Sequence, residues 1–174
     1  NMNSGEQDAL RRSLNQYGNL FIRSNKAISI IEKIRAKADS FVDEMVSAID
    51  TFGIPSKVRG HEEYTEGDIL LVHSDGANSS KTSYISKDVV TKNAHLIDKY
   101  KVRISILVPQ NGEAGVKPEK GYRSMSTPHL VYPGQVDSFS YLNIGFFDNE
   151  NEAENFRKYM MCKLPRFMMR TTYS

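Results

Sequence analysis

Residues 137–173 read DSFSYLNIGFFDNENEAENFRKYMMCKLPRFMMRTTY and carry the clearest structural signal in the chain. Within residues 139–147, apolar and aromatic side chains fall on both faces of an extended chain, as in a central strand covered on both sides. Asp148 or Asn149 then caps a helix, because Asn149 to Glu152 approximates a capping box and acidic residues occupy the first turn. We expect this helix to pack back onto the sheet and to kink or restart at Pro165.

The rest of the chain alternates between helical and extended patterns. A helix is predicted from residue 24 or 25 to residue 36, and a second helix from residue 39 or 40 until Gly53 and Pro55 end it. Short strands are predicted at residues 68–73, 83–86, 101–106, 122–125 and 129–132, with a short helix ending near residue 99. This order predicts an α+β fold, with a mixed or mostly antiparallel sheet flanked by helices from the N- and C-terminal parts of the chain.

Composition narrows the class of protein. A chain of 174 residues is long enough for one domain with a real core. It contains no apolar run of about 18 residues that could span a membrane, and its first residues are too polar for a signal peptide. The single cysteine, Cys162, excludes an internal disulfide, so we expect a reducing cytoplasm. The net charge of +2 argues against a protein that coats nucleic acid without sequence preference, although this charge is compatible with one basic face.

Sequence signatures of catalysis are missing. The histidines do not form an H-E-x-x-H arrangement, and the chain has no G-x-S-x-G, P-loop or G-x-G-x-x-G motif. No aspartate or glutamate is followed two positions later by lysine, as a magnesium nuclease core would usually require. His73, Ser74 and Asp75 are neighbours along the chain, whereas the members of a catalytic triad meet through space. We therefore predict no catalytic residues and no metal site.

Two polar stretches and one strand stand out instead. Residues 74–81 (SDGANSSK) combine small hydrogen-bonding side chains with a cation, and residues 109–121 (PQNGEAGVKPEKG) form a loop longer than usual connections. In the strand at residues 101–106, alternation places Lys101, Arg103 and Ser105 on one side. We expect that basic side to be exposed.

Several of these stretches, in this order, resemble one family. LIDKYKVRIS at residues 96–105, SYLNIGFF at residues 140–147 and EAENF at residues 152–156 are similar to the C-terminal target-recognition region of bacterial adenine-N6 DNA methyltransferases. Those enzymes belong to restriction-modification systems, and type I specificity subunits carry more distantly similar domains. Ile106 departs from the pattern, because relatives often have a lysine there.

The resemblance implies that the chain is a recognition fragment of a larger polypeptide. Residues 1–56 would be a helical segment that connects to an absent catalytic domain, and residues 57–174 would be the target-recognition domain. In the family, the catalytic domain binds S-adenosylmethionine and carries an Asn or Asp-Pro-Pro-aromatic motif and a Phe-x-Gly-x-Gly motif. Neither motif occurs in this sequence. The implied partners are double-stranded DNA and the catalytic domain of the same polypeptide, with no membrane and no methyltransferase activity of the chain alone.

A DNA-recognition domain needs cations to contact phosphates and amides or hydroxyls to read base edges. The candidate phosphate or guanine contacts are Lys101, Arg103, Lys117, Lys120 and Arg123. The candidate base-edge contacts are Asn78, Ser79, Lys81, Gln110 and Asn111. The alternative interpretation is a protein- or small-molecule-binding module without DNA contact, and an autonomous nuclease ranks below both.

Overall fold

The computed structural model describes residues 22, 25–75, 80–106 and 125–172. The strands in this part of the chain are β1 (Asp68–Ser74), β2 (Ser80–Ser86), β3 (Tyr100–Ser105), β4 (His129–Val131), β5 (Gln135–Asp137) and β6 (Tyr141–Phe147). The helices are α1 (Asn25–Arg35), α2 (Glu150–Met161) and α3 (Lys163–Thr172). The predicted α+β class is therefore confirmed, with the strands divided between two small sheets.

The first sheet has the strand order β2, β1, β5. β1 and β2 form an antiparallel hairpin in which Asp68 lies opposite Ser86 and Ser74 lies opposite Ser80. β5 runs parallel to β1, with Val136 beside Leu71. The hydrophobic core on the first sheet consists of Phe52, Ile54, Ile69, Leu71, Ile85, Ile97 and Val136. Part of the predicted connecting segment, residues 52 and 54, thus packs in the same core as the hairpin.

The second sheet has the order β4, β3, β6, and both of its pairings are antiparallel. The prediction that residues 139–147 form a central strand is wrong, because β6 lies at the edge of this sheet and β3 lies in its middle. β6 is nevertheless covered on both faces. The core on its α2 side consists of Val102, Ile104, Met125, Ile144, Ala153 and Met160. On its other face the buried Asn143 amide contacts the Thr51 hydroxyl and the Asp137 carboxylate. This two-sided burial explains why the strand looked central in the sequence.

The predicted second helix is also wrong. Only a single 3-10 turn forms, at Val42–Met45, and Val46 is already extended. The backbone N–H of Ser47 donates to the Asn143 carbonyl over 2.9 Å, so the chain runs along the otherwise unpaired edge of β6. Satisfying that edge outweighs the helical pattern of Val42, Met45 and Ile49. The predicted short helix before residue 99 likewise reduces to two 3-10 turns, Lys87–Val89 and Ala94–Leu96.

The C-terminal helices follow the sequence closely. Asn149 caps α2, because its side chain accepts a 2.9 Å hydrogen bond from the backbone N–H of Glu152. α2 ends where Cys162 adopts an extended conformation, and α3 begins directly afterwards with Pro165 in its first turn, so the predicted restart is confirmed. The predicted strand at residues 122–125 falls largely outside the described residues.

Replacing Asn149 by alanine removes the cap and leaves the Glu152 N–H without its side-chain partner. We expect Asn149→Ala to lower the free energy of unfolding by about 1 kcal/mol in urea titrations. Asn151→Ala is the matched control, since Asn151 is an exposed residue inside α2. Equal stability of the two variants would contradict the assigned helix start.

Candidate nucleic-acid interface

Lys101 and Arg103 share one face of β3, as the alternation predicts, but that face points into the protein. The prediction that they are exposed is wrong. Lys101 is 0% exposed and Arg103 is 9% exposed. In an antiparallel pair, residues directly opposite each other share a face, which places Asn143 of β6 and His129 of β4 beside Arg103. The basic face is thus an interior face.

Lys101 is held by backbone carbonyls. Its Nζ donates to the carbonyl oxygens of Lys99 at 2.7 Å and Ile97 at 2.9 Å, with longer contacts to those of Leu96 and Tyr132. The Phe52 ring lies 5.9 Å from the same nitrogen. Burial lowers the pKa of Lys101 to about 8, against the attraction of Asp137. In this arrangement Lys101 stabilises the turn that precedes β3, and its buried ammonium group cannot contact a phosphate on the surface.

Arg103 lies over an aromatic ring. Its guanidinium carbon is 4.5 Å from the centroid of the Tyr141 ring, a cation–π distance. Among the described residues, its Nε and Nη1 have no hydrogen-bond partner. Burial lowers the pKa of Arg103, although the Asp137 charge opposes that shift. Stacking on Tyr141 therefore fixes the orientation of this side chain.

Asp137 is the buried anion that faces these two cations. The Asn143 amide nitrogen donates to both of its carboxylate oxygens, at 3.1 and 3.0 Å, and lies 3.2 Å from the Thr51 hydroxyl. Ser47 completes the connection, because its hydroxyl lies 2.7 Å from that of Thr51 and donates to the Asn143 carbonyl at 3.0 Å. Burial raises the pKa of Asp137 to about 6 despite the opposing charges of Arg103 and Lys101.

We call these side chains the polar layer: Ser47, Thr51, Lys101, Arg103, Asp137 and Asn143. It connects β5 of the first sheet with β3 and β6 of the second sheet and with the segment before residue 52. Sequence reasoning missed Asp137 and Asn143 as members of such a layer. The available signal was Asn143 itself, an amide in the middle of the apolar run YLNIGFF.

The described residues that flank the two polar stretches lie at the same end of the molecule. β5 runs parallel to β1, and the N–H of Ser138, just after β5, donates to the Val72 carbonyl at 3.1 Å, near the end of β1. Two residues later the Ser140 carbonyl accepts from the Ile106 N–H at 3.1 Å, where β3 has just ended. The short connection between β5 and β6 therefore lies next to both β1 and β3 where each leads into a polar stretch.

The described chain that follows the longer stretch returns to the same place. The hydroxyl of Ser126 accepts from the Ser105 N–H at 2.7 Å, so residue 126 returns beside the end of β3. The shorter stretch is closed by the pairing of Ser74 with Ser80. Residues 137–141 thus lie next to the described residues that flank both stretches, and we call them the common base.

One of the predicted contact residues outside the polar layer is described by the structure. Lys81 is exposed at the start of β2, and its ammonium lies 2.7 Å from the Asp75 carboxylate, which raises the pKa of Lys81. The others lie outside the described residues: Asn78, Ser79, Gln110, Asn111, Lys117, Lys120 and Arg123. Their roles stay predictions.

Within the described ranges, no three histidine, cysteine, aspartate or glutamate side chains come together to hold a metal ion. None of the helices found there is both long and apolar enough to cross a membrane. No protein-family model, curated protein or solved structure matches the chain. Any inference about function therefore rests on the residues of the chain and on their geometry.

The buried carboxyl of Asp137 makes stability depend on pH. Its folded-state pKa of about 6 lies above the ordinary value of 3.8, so between these values the folded state binds more protons than the unfolded state. The contribution of Asp137 to the free energy of unfolding should therefore fall as the pH rises from 4 to 6, by up to about 3 kcal/mol. Urea unfolding of wild type and Asp137→Asn across this range measures the effect, since the other carboxyl groups are common to both proteins. Parallel pH profiles would contradict the assignment.

Proposed function

We propose that this chain is the sequence-specific DNA-recognition part of a restriction-modification adenine-N6 DNA methyltransferase. The observation that carries the proposal is the common base of the two polar stretches at residues 137–141. Stretches that start from one place can contact one duplex together, whereas stretches on opposite ends could not. The resemblance of residues 96–105, 140–147 and 152–156 to target-recognition regions supplies the class of enzyme.

The proposed contacts divide by chemistry. Lysine and arginine side chains fix the register of the protein on phosphates, and amides and hydroxyls read base edges in a groove. Lys117, Lys120 and Arg123 are the proposed phosphate or guanine contacts. The proposed base-edge contacts are Asn78, Ser79, Lys81, Gln110 and Asn111. The Asp75 carboxylate lies 2.7 Å from the Lys81 ammonium and so restricts where that ammonium can lie.

The buried cations have a different part in this proposal. Lys101 and Arg103 hold β3 against the rest of the molecule, and so position the two stretches, without touching the duplex in the arrangement described. Catalysis belongs to a separate domain that binds S-adenosylmethionine, in line with the absence of its motifs from this sequence.

The test begins with a selection by the purified chain from duplexes that have a randomised core. We expect one core sequence to be enriched. Fluorescence anisotropy with that duplex should then give a dissociation constant that weakens steeply with salt, because bound lysines release counterions from the DNA.

A charge-matched pair of double variants localises the surface. Lys81→Ala with Lys120→Ala removes one lysine from each polar stretch and should weaken binding about tenfold or more, with a salt slope shallower by about 1, because Lys120 is the phosphate contact of the pair. Lys87→Ala with Lys99→Ala removes the same charge from the opposite ends of the strands, beside Ser86 and Tyr100, and should bind as wild type does. Absence of any enriched sequence, or equal losses in both double variants, would contradict the proposal and favour a protein- or small-molecule-binding module.

A further inference from the structure

Two helices hold a disproportionate share of the positive charge. Residues 25–37, which are α1 and the turn after it, contain four lysines or arginines and one glutamate, and α3 contains three and no acidic residue. These two segments therefore carry a formal charge of +6. The remaining residues hold 16 of the 23 lysines and arginines and 20 of the 21 acidic residues, which gives them a formal charge of −4. The small net charge of the chain thus conceals a strong asymmetry.

α1 and α3 pack against each other through their apolar sides. Ala27 and Ile31 of α1 are buried, and Phe167 and Met168 of α3 pack against this cluster together with Ile28. Because side chains three and four positions apart share one side of a helix, this contact determines which side of each helix faces outward. The apolar side of each helix is used inside the protein.

The outward sides carry cations without acidic partners. Lys33 and Lys37 lie around the C-terminal end of α1, Lys163 and Arg166 lie in the first turn of α3, and all four are exposed. We call these four residues the basic helix pair. None of them forms an ion pair with any residue that the structure describes. Described cations elsewhere do pair with carboxylates: Lys81, Lys92, Lys99, Arg157 and Lys158.

The start of α3 lies at the same end of the molecule as the common base. α2 begins two residues after β6 and packs against it, with the Phe156 and Phe147 ring centroids 5.3 Å apart. Since the connection is so short, α2 runs back along β6. Its 12 residues span about 18 Å, and the seven residues of β6 span about 20 Å. α3 therefore begins near Tyr141, where β6 starts.

The chemistry of this surface favours the phosphates of a nucleic acid. Helices that lie on a bilayer bury an apolar side in it. Among the described apolar residues of these two helices, however, the exposed ones are Ile30, at 43%, and Leu164, at 40%. Protein interfaces are depleted in lysine and are anchored by aromatic residues, which the outward sides lack. Phosphates, in contrast, are contacted by lysine and arginine side chains.

We infer that the basic helix pair binds the phosphate backbone of duplex DNA, irrespective of base sequence. The inference rests on the proposed function for the choice of DNA over RNA, and on the distribution of charge for the choice of a phosphate backbone. It divides the work of binding: the helices supply affinity for any duplex, and base-edge contacts elsewhere supply the preference for one sequence.

Binding to an unselected duplex, measured by fluorescence anisotropy at several salt concentrations, tests the inference. The helix variant combines Lys33→Ala, Lys37→Ala, Lys163→Ala and Arg166→Ala. It should bind at least about tenfold more weakly, with a salt slope shallower by about 3 to 4, because each lost phosphate contact leaves about one counterion unreleased. Alanine favours helices, so circular dichroism and thermal unfolding should find this variant folded.

A second quadruple variant is the matched control. It combines Lys57→Ala, Lys87→Ala, Lys92→Ala and Lys99→Ala, all outside the two helices. Both quadruple variants lose four positive charges and so have the same net charge. The control should bind the unselected duplex as wild type does, since it keeps the basic helix pair. On the duplex enriched in the selection, the helix variant should lose the same factor in affinity as on the unselected duplex.

The outcomes distinguish this inference from the proposed function. If wild type binds no duplex, both fail. If a core sequence is enriched but the helix variant binds as wild type does, or both quadruple variants lose the same affinity, the inference fails and the proposed function stands. If binding needs the basic helix pair but no core sequence is enriched, the inference stands and the proposed function fails. Tighter binding to duplex RNA, or to vesicles that contain phosphatidylserine, would also overturn the inference.

Discussion

The hydrogen bonds between the Asn143 amide and the Asp137 carboxylate are the interaction on which the rest of the structure depends. Asp137 ends the last strand of the first sheet, and Asn143 lies in the edge strand of the second sheet. A buried carboxylate costs several kcal/mol unless hydrogen bonds and opposite charges compensate it. Asn143, Lys101 and Arg103 supply that compensation only when the two sheets pack in this one arrangement. The polar layer therefore selects the relative position of the sheets, whereas apolar contacts alone would tolerate others.

The relative position of the sheets bears on the proposed function. The connection from Asp137 to Tyr141 is short and hydrogen bonded to residues 54, 72 and 106. It therefore brings the end of β1 next to the end of β3, and each of these strands leads toward one polar stretch. The proposed function requires such a base, since misplacement of one stretch would break the register of the other on the duplex.

The sequence predicts local features here better than long-range ones. The Asn149 cap, the restart before Pro165 and the alternation of Lys101 with Arg103 all depend on spacing within a few residues, and the structure confirms them. The exposure predicted for that lysine and arginine was wrong, because it depends on Asp137 and on carbonyls of residues 96–99, which approach through tertiary packing. The helix expected after residue 39 was wrong for a similar reason. Ser47, within that predicted helix, instead donates a hydrogen bond to the Asn143 carbonyl at the edge of β6, 96 residues later. The contact residues in the two stretches could be chosen only by chemical type.

Native-state hydrogen exchange tests most directly whether the polar layer joins the sheets into one cooperative unit. The measurement compares the free energies of opening for the protected amides of β1, in the first sheet, and of β3, in the second sheet, at increasing denaturant. If the layer joins the sheets, both sets converge on one global free energy of unfolding. If the amides of one sheet open at a free energy about 2 kcal/mol or more below that of the other sheet at every denaturant concentration, the sheets unfold separately. That result would contradict the role given to the polar layer.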